Sequence, residues 1–151
     1  MVKIKNILVP VDFSEGSKNS MNYAVEIAKS MDAMLHIIHV IEPIIFSSDI
    51  VMTKYGFDEL PNELEIYANK DIELITKTLI DTTLGLKTKI LHGRADEEIL
   101  TYAHKNHIDL ICIATHGRGN FENLFFGSIA EKVLRKSICP VLSIRVKDSK
   151  E

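Results

Sequence analysis

The chain has 151 residues, 46% of them hydrophobic, and Lys+Arg 18 against Asp+Glu 21 give it a formal net charge of -3. That length fits a single domain over residues 1–151 and suffices to bury most of one core. The slightly acidic balance leaves no basic footprint, so neither a nucleic-acid nor a membrane partner is expected.

The opening stretch, MVKIKNILVPVDFS, has two lysines but only a short apolar run that ends in Asp12 without a small-residue cleavage site, so it reads as a first strand and not as a leader. KNILVPV (5–11) is that strand. In SKNSMNYAVEIAKSM (17–31), Met21, Ala24, Val25, Ala28 and Met31 recur at helical spacing. AMLHIIHVI (33–41) gives a second strand, and EPIIFSSDIVMTKYGFDELP (42–61) a connection long enough to be functional or mobile in its own right. A helical pattern over 62–84 leads to a third strand, KTKILHG (87–93). A helix over 96–106 leads to a fourth, IDLICIAT (108–115), and a helix over 128–137 leads to a fifth, CPVLSIRV (139–146). No run approaches the roughly 18 residues of a membrane span. Cys112 and Cys139 stand apart inside apolar strand-like runs and read as reduced core thiols, which fits a cytoplasmic protein.

Strands alternating with helices predict an α/β fold with a parallel sheet covered on both faces, and the continuous apolar character of strands one and four fits burial from both sides. In such sheets a ligand binds beyond the carboxyl ends of the strands, where strand order reverses. The rule selects Pro10, Val11 and Asp12 after strand one, Val40 and Ile41 after strand two, and Ala114, Thr115, His116 and Gly117 after strand four. If the chain winds first to one side of strand one and then to the other, Asp12 and the segment after strand four face one crevice.

That segment, ATHGRGNFENLFFGS (114–128), carries Gly117, Gly119 and Gly127. Glycine is the default where the backbone takes φ > 0, so turn chemistry is one reading; a glycine loop leading into a helix N-terminus that holds an anion is the other. Ser128 followed by Glu131 predicts a capping box, which stabilises a helix with or without a ligand. Gly117 and Gly119 opposite Gly127 offer bare backbone amides at both ends of the loop, which favours the anion.

ILVPVDFS, then ATHGRGN, GSIAEKVL and finally CPVLSIR, in that order along the whole chain, resemble the universal stress protein family. The nucleotide-binding members have a Gly-x2-Gly-x9-Gly-Ser/Thr pattern, matched here as Ala114-x2-Gly117-x9-Gly127-Ser128, with alanine replacing the first glycine. The resemblance implies an open five-stranded parallel sheet of order 3-2-1-4-5 with helices on both faces, adenine nucleotide alpha hydrolase-like. It implies a stress-response function and ATP with Mg2+ as ligand. Asp12 would contact the adenosine part, the Val40 backbone would read the adenine edge, and Gly117, Arg118, Gly127 and Ser128 would hold the phosphates. Pro10, Val11, Ala114, Thr115, His116, Gly119, Asn120 and Ile129 complete the expected site. The same resemblance implies a homodimer through the fifth strand (139–146), and the 42–61 segment, following strand two, is expected to cover the nucleotide.

Other nucleotide folds lack their signatures. GxxxxGK[ST] is absent, and VDFSEGS follows strand one where GxGxxG would stand. The pairs His36/His39 and His104/His107 share a three-residue spacing. In a strand that spacing sends the first pair to opposite faces, whereas the second pair could share a helix face as solvated surface. Rapid ATP hydrolysis needs a positioned water, a metal and charge stabilisation, and no general base accompanies Asp12, Arg118 and Lys18. A nucleotide-sensing or regulatory module is therefore the first reading. A slow ATPase or phosphoryl-transfer enzyme is the second, and a dimeric interaction protein without nucleotide the third.

Overall fold

The computed structural model describes residues 1–43, 60–79, 83–116 and 127–145. In chain order the elements are β1 (Asn6–Pro10), α1 (Glu15–Met31), β2 (Met34–Ile41), α2 (Leu60–Leu79), β3 (Leu86–His92), α3 (Ala95–Lys105), β4 (Leu110–Ala114), α4 (Ser128–Lys136) and β5 (Val141–Ile144). The five strands form one parallel sheet in the order β3-β2-β1-β4-β5. This is the α/β architecture expected from the sequence.

Side chains alternate across each strand and so divide the core into two layers. Ile7, Val9, Leu35, Ile37 and Cys112 pack under α1 and α2, against Met21, Ala24, Val25, Ala28, Ile72 and Ile75. Leu8, Ile38, Ile111 and Ile113 face the other way, against Ile99 and Ala103 of α3 and Ala130 and Val133 of α4. β4 is apolar throughout and β1 nearly so, because both of their faces are covered. β3, at the edge, is largely exposed and carries Lys87 and Lys89, the charges that discourage edge pairing. Burial pushes the Cys112 thiol up to about 12, so it stays protonated and inert at neutral pH.

Three of the expected boundaries shift in ways that matter to the chemistry. α2 ends at Leu79, and Thr83 and Leu84, expected in the helix, lie in the turn before Gly85. α3 stops at Lys105 and His107 has φ 49, so His104 and His107 share no helix face. Cys139 precedes β5, held in a turn where its N–H and carbonyl both bond the Ser137 hydroxyl. β5 itself begins two residues later than the run CPVLSIRV suggests, because Pro140 has no N–H to give to a ladder.

Proline also shapes the centre of the sheet. β1 stays in register with β2 from Asn6 to Pro10, yet with β4 only at Ile7–Leu110 and Leu8–Ile111. Val11 donates to the Ile38 carbonyl on the β2 side, and alternation then puts the residue-10 nitrogen on the β4 side, where proline has no hydrogen. The β1–β4 ladder therefore ends early, and the two central strands part at the point where strand order reverses.

Candidate functional site

Beyond that parting the chain turns sharply. Phe13 adopts φ 65, a left-handed conformation that is uncommon for a bulky residue. The Asp12 carboxylate accepts the Ser14 N–H at 3.0 Å and the Ser14 hydroxyl, and Ser14 in turn caps α1 by accepting the Ser17 N–H. One Asp12 oxygen is thus spent on the turn; the other accepts no hydrogen bond among the described residues, and Asp12 lines the cleft.

β2 runs on past the end of β1. The Ile38 carbonyl bonds β1 through Val11, and the Ile41 carbonyl bonds Gly93 on the β3 side. Alternation directs the Val40 N–H and carbonyl toward β1, where no strand remains to receive them. Among the described residues neither group has a backbone partner, and the next acceptor in line, the Val11 carbonyl, accepts instead from the His39 ring nitrogen at 2.7 Å. A donor and an acceptor side by side on one strand edge suit a planar heterocycle that offers the complementary pair.

On the other side, β4 passes through Ala114 to Thr115 and His116, whose ring nitrogen lies 3.0 Å from the Thr115 hydroxyl. The Gly127 N–H donates to the Thr115 carbonyl at 2.6 Å, which docks the start of α4 beside the end of β4. Two expectations fail here. Gly127 has φ -67 and ψ 151, ordinary extended geometry, so no left-handed turn requires glycine at this position. Gly127 is also the N-cap, with no side-chain cap bond, and Ser128 is the first helical residue, so there is no capping box. The bond to Thr115 explains both outcomes: it consumes the Gly127 amide, which is therefore not available to an anion, and starts the helix one residue before Ser128 could cap it. The first helical bond runs from Glu131 to the Gly127 carbonyl. The N–H groups of Ser128, Ile129 and Ala130 precede it and have no partner among the described residues, at the end of the helix that favours negative charge.

α3 also begins at this cleft, and it is closed. Glu42, the first residue after β2, places a carboxylate oxygen 2.9 Å from the Ala95 N–H. Asp96, Glu97 and Glu98 add acid to the same turn. Asp96 is buried to 4% exposure and lies 3.6 Å from both Arg94 and Lys132, which ties the start of α3 to α4.

These elements enclose a cleft of about 490 Å³. Of the residues expected from the sequence, Pro10, Val11, Asp12, Val40, Ala114, Thr115, His116, Gly127, Ser128 and Ile129 line it. Gly117, Arg118, Gly119 and Asn120 lie outside the described residues, as does most of the 42–61 segment. Ser17, His39, Glu42 and Ala95 also line the cleft and were missed. Glu42 was within reach of the strand-end rule applied one residue further; Ala95 left no local signal.

Comparison with known proteins agrees with this architecture. The universal stress protein family model matches residues 3–145. Universal stress protein MJ0577 of Methanocaldococcus jannaschii is 32% identical over 98% of this chain and 99% of its own. MJ0531 of the same organism is 31% identical over 93% and 82%. The solved structure of MJ0577 superposes with a TM-score of 0.84, covering 98% of this chain and all of that one. UspA from Lactobacillus plantarum superposes at 0.80 with 26% identity, over 96% of this chain and 100% of the other. By its sequence and by its sheet order, this chain belongs to the universal stress protein family.

Proposed function

We propose that the cleft binds ATP and that the protein is a nucleotide-sensing regulatory module. The observation that carries this reading is the pairing, in one cleft, of the Val40 N–H and carbonyl with the three amides that begin α4, none of which has a backbone partner among the described residues. The first suits the adenine edge and the second suits phosphate. Asp12, between them at the end of β1, would accept from a ribose hydroxyl. Apolar walls from Pro10, Val11, Ile99, Ile113 and Ile129 would enclose the base. The same fold holds adenine nucleotides in other proteins: a universal stress protein solved with cAMP (TM-score 0.67, 18% identity) and one from Archaeoglobus fulgidus solved with dAMP (0.62, 20%).

The polarity of the ligand follows from the two helix starts. α3 already holds the Glu42 carboxylate and three further acids in its first turn, so phosphate belongs at α4. Among the described residues no group of three His, Cys, Asp or Glu side chains could cage a metal, so Mg2+ would arrive on the triphosphate. Calorimetric titration with ATP tests the reading. Saturable binding at a single site is expected, and its absence would overturn the proposal. Phosphate release under the same conditions should stay near background, as suits a module that senses the nucleotide without turning it over.

The homodimer expected through the fifth strand is part of this proposal. β5 lies at the sheet edge, and Ile138, 76% exposed, and Leu134, 37% exposed, lie on the segment leading into it. Antiparallel pairing of β5 with a second copy would satisfy its open backbone groups and cover both side chains. Ser143→Pro, which removes a backbone donor, should sediment as a folded monomer, and the parent as a dimer.

A further inference from the structure

His39 belongs to the wall of the cleft, yet neither the family pattern nor the ligand reading gives it a task. Its side chain lies on the α1 side of β2, and its Nδ1 lies 2.7 Å from the Val11 carbonyl. A carbonyl only accepts, so Nδ1 carries the proton. The ring also packs on Phe13, centroid to centroid 4.6 Å at 38°. Val11 and Phe13 flank Asp12, so one imidazole holds both neighbours of the carboxylate that faces the cleft. Phe13 is also the residue with left-handed backbone, a conformation that persists only where its surroundings enforce it and that concentrates at functional sites. The turn itself is closed by the Ser14 N–H on the Asp12 carboxylate.

We propose that His39 is a positioning residue of the nucleotide site: by holding the Val11 carbonyl and the Phe13 ring, it fixes the turn that presents Asp12 to the sugar end of the ligand. The proposal rests on the nucleotide reading for the ligand and on the geometry alone for the turn. His39 acts through Asp12, so its removal should matter only while Asp12 is present. Asparagine places an N–H close to the position of Nδ1, whereas leucine keeps the bulk and loses the donor.

Two measurements test it. In the protein without ligand, the Ser14 amide should be protected from hydrogen exchange in the parent and in His39→Asn, and should lose protection in His39→Leu. An unchanged Ser14 amide in His39→Leu overturns the positioning, whatever the ligand. In calorimetry, His39→Leu should weaken ATP about tenfold, with His39→Asn recovering most of that loss. In an Asp12→Ala background the same leucine substitution should cost less than about twofold. Equal loss in both backgrounds would mean that His39 acts on the ligand or the fold independently of Asp12, and would overturn the proposal. A parent that binds no ATP would overturn the nucleotide reading and the ligand half of this proposal together; a parent that binds, with a leucine variant that binds equally well, would overturn the positioning alone.

Discussion

Two helices begin at the same cleft, and they differ in what their first turns already hold. α3 starts with the Glu42 carboxylate on its Ala95 amide and acids at Asp96, Glu97 and Glu98. α4 starts with Gly127 turned away to the Thr115 carbonyl, three amides without a partner among the described residues, and a single first-turn acid, Glu131, drawn off to Arg135 at 3.0 Å. Helix dipole and unsatisfied amides are generic to both ends, so neither helix is an anion site merely by being a helix. The difference lies in whether the chain has supplied its own anion, and in α3 it has.

The largest effect should come from closing the α4 side by bulk. Gly127→Val fits the local backbone, since φ -67 and ψ 151 are ordinary for any residue, and should leave the melting temperature within a few degrees of the parent while abolishing ATP binding. Normal affinity in this variant would remove α4 from the site. A sharper version makes α4 resemble α3: Ser128→Asp puts a carboxylate at the first helical position, which should weaken ATP about a hundredfold through like-charge repulsion while stabilising the helix slightly. Calorimetry and thermal melts on the same sample would separate those two consequences. If affinity instead holds, phosphate does not sit at this turn.

Opening α3 should do far less. In Glu42→Gln the amide oxygen can still accept from Ala95 without the charge, so ATP affinity should change by less than about threefold, with the melting temperature down by roughly 2–4 °C. A hundredfold gain would show that α3 competes for the phosphate and that the assigned polarity is reversed. The smallest effect concerns what lies beneath α3. His36 is 1% exposed, with its ring nitrogens 3.0 Å from the Tyr102 hydroxyl and 3.4 Å from the Asn6 side-chain oxygen. Burial, and then the charge of Lys87, hold its pKa below the ordinary 6.5, so it is neutral in the folded protein. Below pH 6.5 the unfolded chain takes up a proton that the folded one resists, and stability falls as pH drops; above 6.5 this contribution is flat. Urea unfolding between pH 7.5 and 5.5 should show that slope, and His36→Gln should reduce it. An unaltered slope would assign the pH dependence to other groups.

Much of this was legible in one dimension. The continuous apolar runs of β1 and β4 announced strands covered on both sides, and the period of Met21, Ala24, Val25 and Ala28 announced α1, because burial on a sheet or helix leaves a repeat in the sequence. Alternation of the two periods determined the parallel class, and the strand-end rule brought Pro10, Asp12, Val40, Ala114 and Thr115 into one group. The sequence could not state which amides are spent. Glu42 reaches Ala95 across 53 residues, Gly127 turns to Thr115, and His39 reaches Val11 across 28. The capping box and the left-handed glycine failed for the same reason, since both assumed that a local pattern governs a local conformation. A hydrogen bond between distant segments forms only once the sheet has set them side by side, and it has no period to betray it. Local chemistry determined the elements; the tertiary structure decided which helix start already carries a carboxylate of this chain.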